Sequence, residues 1–169
     1  NINLEAYGDP YVSSFARDAE IATQQFGLDE WVPEQVTVLY PLEINGKNVY
    51  VPHGSKTGLG ISINIRLMRV NRVHGLRIHS YDSAPYPVTQ NESALRALME
   101  KGGLYTFVSS GSDNDTMISL GDPEIHYVQM TDFIGDQSVE YLVPSLVFPV
   151  HPADVSTVYG QEYVVVPLI

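Results

Sequence analysis

Leu59, Ile61, Ile63, Ile65 and Leu67 alternate with Gly60, Ser62, Asn64, Arg66 and Met68. A period of two over ten residues is the pattern of a β-strand with one face in a core and the other largely in water, and it excludes an amphipathic helix. The neighbouring segments follow the same logic. Val36, Val38 and Tyr40 alternate with polar residues, Leu42 and Ile44 extend the run, and Val49-Tyr50-Val51 returns after Asn45-Gly46. Asn-Gly between apolar runs predicts a two-residue hairpin. Val73 to His79 is expected to pair with the central strand across a turn near Arg69–Arg72.

Two stretches switch to helical spacing. Asp9-Pro10 suits an N-cap and first helical position, and Val12, Phe15, Ala19, Ala22 and Phe26 form one stripe ending at Gly27. Thr89 and Glu92 make a capping box for a helix over Gln90–Lys101, with Ala94, Leu95 and Leu98 on one face and Gly102-Gly103 as its stop. Asp82–Val88, with Pro85 and Pro87, reads as a linker. The last third is again β: Leu104–Val108, Met117–Phe133 interrupted at Gly121-Asp122-Pro123, Val139–Val150 after a turn at Gly135-Asp136, and Glu162–Leu168. Pro144 and Pro149 predict edge or bulge positions. These elements predict an α+β fold, a largely antiparallel β-sheet with two amphipathic helices packed on it. The 169 residues fit a single compact domain, with similar helix-plus-strands halves at 1–84 and 85–169. No strand–helix alternation supports a doubly wound parallel sheet.

Charge narrows the partners. Nine Lys+Arg stand against twenty Asp+Glu, a net charge of −11, which disfavours nucleic acid and anionic lipid and favours neutral or basic partners or a cation. With no cysteine, disulfides, zinc thiolate sites and thiol nucleophiles are excluded. No run approaches the roughly 20 apolar residues of a membrane span, so the chain is expected to be soluble as it stands. Its start at Asn1 is compatible with a removed leader or N-terminal membrane anchor.

Ser55-Lys56-Thr57-Gly58 contains a K-T-G and Ser112-Asp113-Asn114 is an S-D-N, two words of the penicillin-binding hydrolases. Their order is inverted and no serine has a lysine three residues on, so the nucleophile those enzymes require is missing. Glu124 and His126, two apart on a strand, would share a face and could supply two ligands to zinc. Asp113 and Asp115 resemble part of a calcium loop with Glu124 at its twelfth position, but Ile118 stands where the turn glycine belongs. Eleven tyrosines, Tyr127 and Tyr141 among them, suit strands and recognition surfaces alike.

Tyr86-Pro87, Ala94 through Gly103, Leu120-Gly121, Tyr141-Leu142-Val143-Pro144 and Phe148-Pro149, preceded by the alternating strand, resemble the PepSY-like and YycI-like extracytoplasmic modules of bacteria over about residues 59–168. That resemblance implies a helix followed by long antiparallel strands, usually behind a single membrane anchor. It also implies non-catalytic regulation by contact, with no catalytic residues to carry over. The expected function is an extracytoplasmic binding or regulatory module that contacts a protein or peptide. Strand edges beside Pro144 and Pro149, the tyrosines and the Ser109–Asp115 turn are the expected contact devices, and no cofactor is required. Two alternatives from other classes are a metal-dependent hydrolase using Glu124, His126 and Asp113, and a structural assembly subunit.

Overall fold

The computed structural model describes residues 6–13, 33–76, 80–85, 87–88, 91–104, 117–154 and 161–169. Its elements are β1 (Tyr11–Val12), β2 (Gln35–Pro41), β3 (Glu43–Ile44), β4 (Lys47–Tyr50), β5 (Gly58–Asn64), β6 (Arg69–His74), α1 (Glu92–Glu100), β7 (Glu124–Ile134), β8 (Gln137–Pro149), a 3-10 turn (Pro152–Asp154) and β9 (Tyr163–Pro167). They fall into two units, Asn1–Ile44 with Thr57–Tyr81 and Asn45–Lys56 with Asp82–Ile169.

The first unit is built on an antiparallel sheet of order β1-β2-β5-β6. Val12 pairs with Val38, Val38 with Ile61, Val36 with Ile63 and Tyr40 with Leu59, so one face is uniformly apolar. The burial of β5 is nevertheless not the expected one. Leu59 is buried but Ile61 and Ile63 are only half-buried, whereas Gly60, Ser62 and Asn64 on the other face are buried. The polar positions tolerate this because their groups are satisfied. Ser62 Oγ lies 3.0 Å from Thr37 Oγ1, and Asn64 Oδ1 accepts the Leu67 N–H at 2.7 Å. Gly60 has no room for a side chain because the His74 ring lies against it.

The Asn64 bond also moves the hairpin turn. The turn occupies Ile65–Met68 rather than Arg69–Arg72, with Met68 at φ 49°, and β6 already begins at Arg69. A bulge at Asn71 lets Val70 pair with Ile63 and Val73 with Ile61, which puts two valines three apart on the same face.

Tyr11 and Val12 form a strand, not the start of a helix. They pair with Leu39 and Val38, and the Ser13 N–H donates to the Thr37 carbonyl at 2.9 Å. The rest of the expected first helix, from residue 14 on, lies outside the described residues. Among the described residues one α-helix is present, α1, so of the two helices expected on the sheet only the second is seen there.

The second sheet runs β3-β4-β7-β8-β9. Asn45 and Gly46 have φ of 53° and 70°, the left-handed pair that a type I′ hairpin requires. β4 pairs with β7 in parallel, and β7–β8 and β8–β9 are antiparallel. Asn91, not Thr89, caps α1: its side chain accepts from the Ala94 N–H. Gly102 and Gly103, both at positive φ, donate to Met99 and Leu98 and end the helix. Its Leu95, Leu98 and Met99 pack on Val164 and Val166 with Leu146 and Phe148. The other sheet face carries Tyr50, Val128, Val147 and Val165.

Pro144 departs from its expected edge or bulge position. It sits in β8 between β7 and β9, opposite Tyr127, with its carbonyl accepting the Leu168 N–H at 2.9 Å. In an antiparallel strand N–H and C=O of one residue point to the same side. The proline nitrogen therefore faces Leu168, one residue past the end of β9, and returns no bond to it.

Gly46 and Gly54 separate two costs of a side chain. Both have positive φ, but nothing lies within 4 Å of a Cβ at Gly46, whereas one at Gly54 would strike the Tyr163 carbonyl. Gly46→Ala should destabilise by about 1 kcal/mol from φ alone. Gly54→Ala should lose about 2 kcal/mol more. Urea unfolding of both variants tests this; equal losses would show that the Gly54 loop gives way freely.

Candidate functional site

The one buried titratable side chain among the described residues that the sequence also singled out is His126. It sits on β7, level with Asn48 of β4 by the Val49–Tyr127 register and directly opposite Ser145 of β8. The strand period puts Glu124 on the same face, as expected, and their side chains meet at 3.2 Å between His126 Nε2 and Glu124 Oε2. The Asn48 backbone N–H donates to His126 Nδ1 at 3.2 Å. A backbone donor allows one tautomer of the neutral ring: Nδ1 is the acceptor and the Nε2–H points at the carboxylate.

Aromatic rings close the inner side. The Tyr50 ring lies 5.4 Å from His126 and 5.1 Å edge-on from Tyr163. Burial raises the Tyr163 phenol above its ordinary value, the Glu162 carboxylate adds to this, and a hydrogen bond with Tyr50 opposes it. The Asn48 side-chain oxygen is buried with no hydrogen-bond partner among the described residues. The outer side is wet: the Glu124 side chain is 74% exposed and that of His126 10%. Burial holds His126 below its ordinary value; Glu124 pulls the other way, and Lys47 and Lys56 reinforce the lowering.

Ser, His and Glu thus converge here, a juxtaposition that only the strand register creates. They are not wired as a catalytic triad. Ser145 is fully buried and its hydroxyl donates to the Val143 carbonyl at 3.0 Å. Both nitrogens of His126 are engaged, one by backbone and one by Glu124, so neither is free to take a proton from a nucleophile. For a metal, Glu124 and His126 supply two ligands. Among the described residues no cluster of three or more His, Cys, Asp or Glu surrounds an ion.

The remaining predicted site residues are dispersed. Tyr127 and Pro144 are cross-strand partners, both half-buried. Tyr141, 41% exposed, pairs with Met130 and projects from the opposite face of the β7–β8 pair. Asp113 and Asp115, with the whole Ser109–Asp115 turn, lie outside the described residues. Sequence reasoning missed Asn48, Tyr50, Tyr163 and Ser145. The hairpin pattern marked Tyr50 as a strand residue, but its approach to His126 depends on the parallel β4–β7 pairing, which has no local signal. No family model matches the chain, and no curated protein or solved structure does.

Two outcomes follow from the His126 geometry. Its ordinary value is 6.5 and folding lowers it, so the unfolded chain binds the extra proton first. Stability from this group is complete above 6.5 and is lost as pH falls below it, down to the folded value. Urea midpoints at pH 7.5 and 5.5 should therefore differ more for the natural chain than for His126→Gln; a larger difference in the variant would reverse the sign. Zinc should leave the thermal midpoint unchanged, and a shift that Glu124→Gln abolishes would establish a third ligand beyond the described residues.

Proposed function

We propose that this chain is a non-catalytic extracytoplasmic module that acts by contact with a protein or peptide, through the free end of its β7–β8 hairpin. The observation that carries the reading is that this hairpin outruns its neighbours. β7 and β8 pair over eleven residues, Glu124 to Ile134. β4 meets β7 only at Tyr127 and Val128, and β9 meets β8 only from Ser145 to Pro149. From Gln129 to Leu142 the pair is a two-stranded ribbon, flanked by no third strand among the described residues.

Such a ribbon is marginal in water by itself and gains nothing from exposing apolar side chains. Yet Phe133 is 72%, Ile134 61% and Tyr141 41% exposed. Met130, Ile134, Val139 and Tyr141 share one face and continue the apolar face of Val128 and Val143. Asp132 interrupts it, Asp136 follows in the turn and Glu140 stands on the opposite face, charges of the kind that keep an exposed edge from sticking to copies of itself. An edge of this kind takes an extended partner as an added strand, with the aromatic rings as anchors. The resemblance to contact regulators supports the same class and the extracytoplasmic setting.

The contact devices beside Pro144 and Pro149 give way to the ribbon, since Pro149 pairs with Tyr163 of β9 and its carbonyl accepts the Gly121 N–H, while Pro144 pairs across to Tyr127. Tyr141→Ser should unfold within about 1 kcal/mol of the natural chain, because the side chain is partly solvated already. A photo-reactive phenylalanine at position 134 should form a discrete polypeptide adduct in extracts of the source organism's envelope, weakened about tenfold or more by Tyr141→Ser. Adduct formation at the same level from a probe at Asn45 would remove the ribbon from the reading.

A further inference from the structure

From Ile44 to Tyr81 the chain contains no aspartate or glutamate, while all twenty of its acids lie elsewhere. The same segment holds Lys47, Lys56, Arg66, Arg69, Arg72 and Arg77, six of the nine cationic side chains. Within it, β6 ends the first sheet, so its outer row of N–H and C=O groups has no strand partner among the described residues. Every residue of β6 is exposed. Arg66, Arg69 and Arg72 make no ion pair among the described residues, although the chain has acids in excess. Val70 and Val73, 58% and 50% exposed, extend the apolar face of Ile63 and Ile61 to this edge.

We propose that β6 is a docking edge for an acidic extended segment of another protein. The backbone row supplies strand addition, the valine pair supplies side-chain contacts on one face, and Arg69 and Arg72 on the other face supply charge selection. An oligonucleotide could answer the arginines but not the backbone row, which is why a polypeptide is the better match. Charges and a bulge on an edge strand can also serve only to prevent aggregation, and the test separates that role from docking. The inference rests on the reading of the chain as a binding module but places this contact on a different strand from the ribbon.

The probe is a fluorescein-labelled, end-blocked peptide of four Glu-Val repeats, followed by anisotropy with the whole chain. Saturable binding that weakens with salt is expected, with at least a tenfold loss in Arg69→Glu/Arg72→Glu and a gain by that variant for the Lys-Val counterpart. Arg69→Gln/Arg72→Gln should show the same loss if the charge reversal disturbs folding. Tyr141→Ser should bind the probe normally, so failure of the ribbon and failure of β6 are told apart. The proposal is overturned by absence of saturable binding, or by equal affinity in the arginine variants even if they aggregate. It is equally overturned by stronger binding of an oligonucleotide of the same charge, or by arginine-dependent self-association without peptide, which would make a second copy the occupant.

Discussion

The pairing of β7 with β8 is the interaction on which the second unit depends. It is the longest ladder among the described residues, and the other parts of that unit are fastened to it: β4 along one strand, β9 along the other, and α1 through β9 and the even-numbered residues of β8. The alternation of β8 sorts the unit into two cores. Val143, Ser145 and Val147 face Tyr50, Val128 and Val165, while Leu146 and Phe148 face the helix. A slip of one residue would exchange these sets and place Ser145 under the helix, so the register is specified by burial on both faces.

The same ladder produces the two features of functional interest. At one end it carries His126 and Glu124 under Tyr50, where burial and a backbone donor hold the imidazole neutral and oriented. At the other end it runs past its neighbours and presents apolar side chains to water. The first arrangement has the residue types of a hydrolytic site and the wiring of a structural one, since both ring nitrogens of His126 and the hydroxyl proton of Ser145 are already used. The second has the reverse character, with apolar side chains in water of the kind that elsewhere in the fold are packed.

Local signals were legible where local chemistry decides. Asn45-Gly46 became a hairpin because only residues tolerant of positive φ can close it, and Gly102-Gly103 ended a helix for the same reason. Glu124 and His126 met because a strand repeats every two residues. Where a side chain reached beyond its own segment, the reading failed. Asn64 closed a turn four residues earlier than the composition suggested, and the bulge at Asn71 put Val70 and Val73 on one face against their spacing. Ser62 and Asn64 looked like solvent positions because their partners, Thr37 and the Leu67 amide, are invisible to a periodicity argument. Tyr11 and Val12 joined a helical stripe in the sequence but found strand partners in Leu39 and Val38.

The sequence by itself determined the sheet-rich class, the hairpin turns, the end of α1 and the exclusion of thiol chemistry, because each follows from backbone sterics, strand period or the presence of a functional group. Tertiary structure alone decided which face of β5 is buried, that Pro144 lies inside a sheet, that β4 runs parallel to β7, and that Ser145 faces His126. Those outcomes depend on which strand lies beside which. That choice is made by the summed burial of side chains far apart in the chain, which no short window of residues contains.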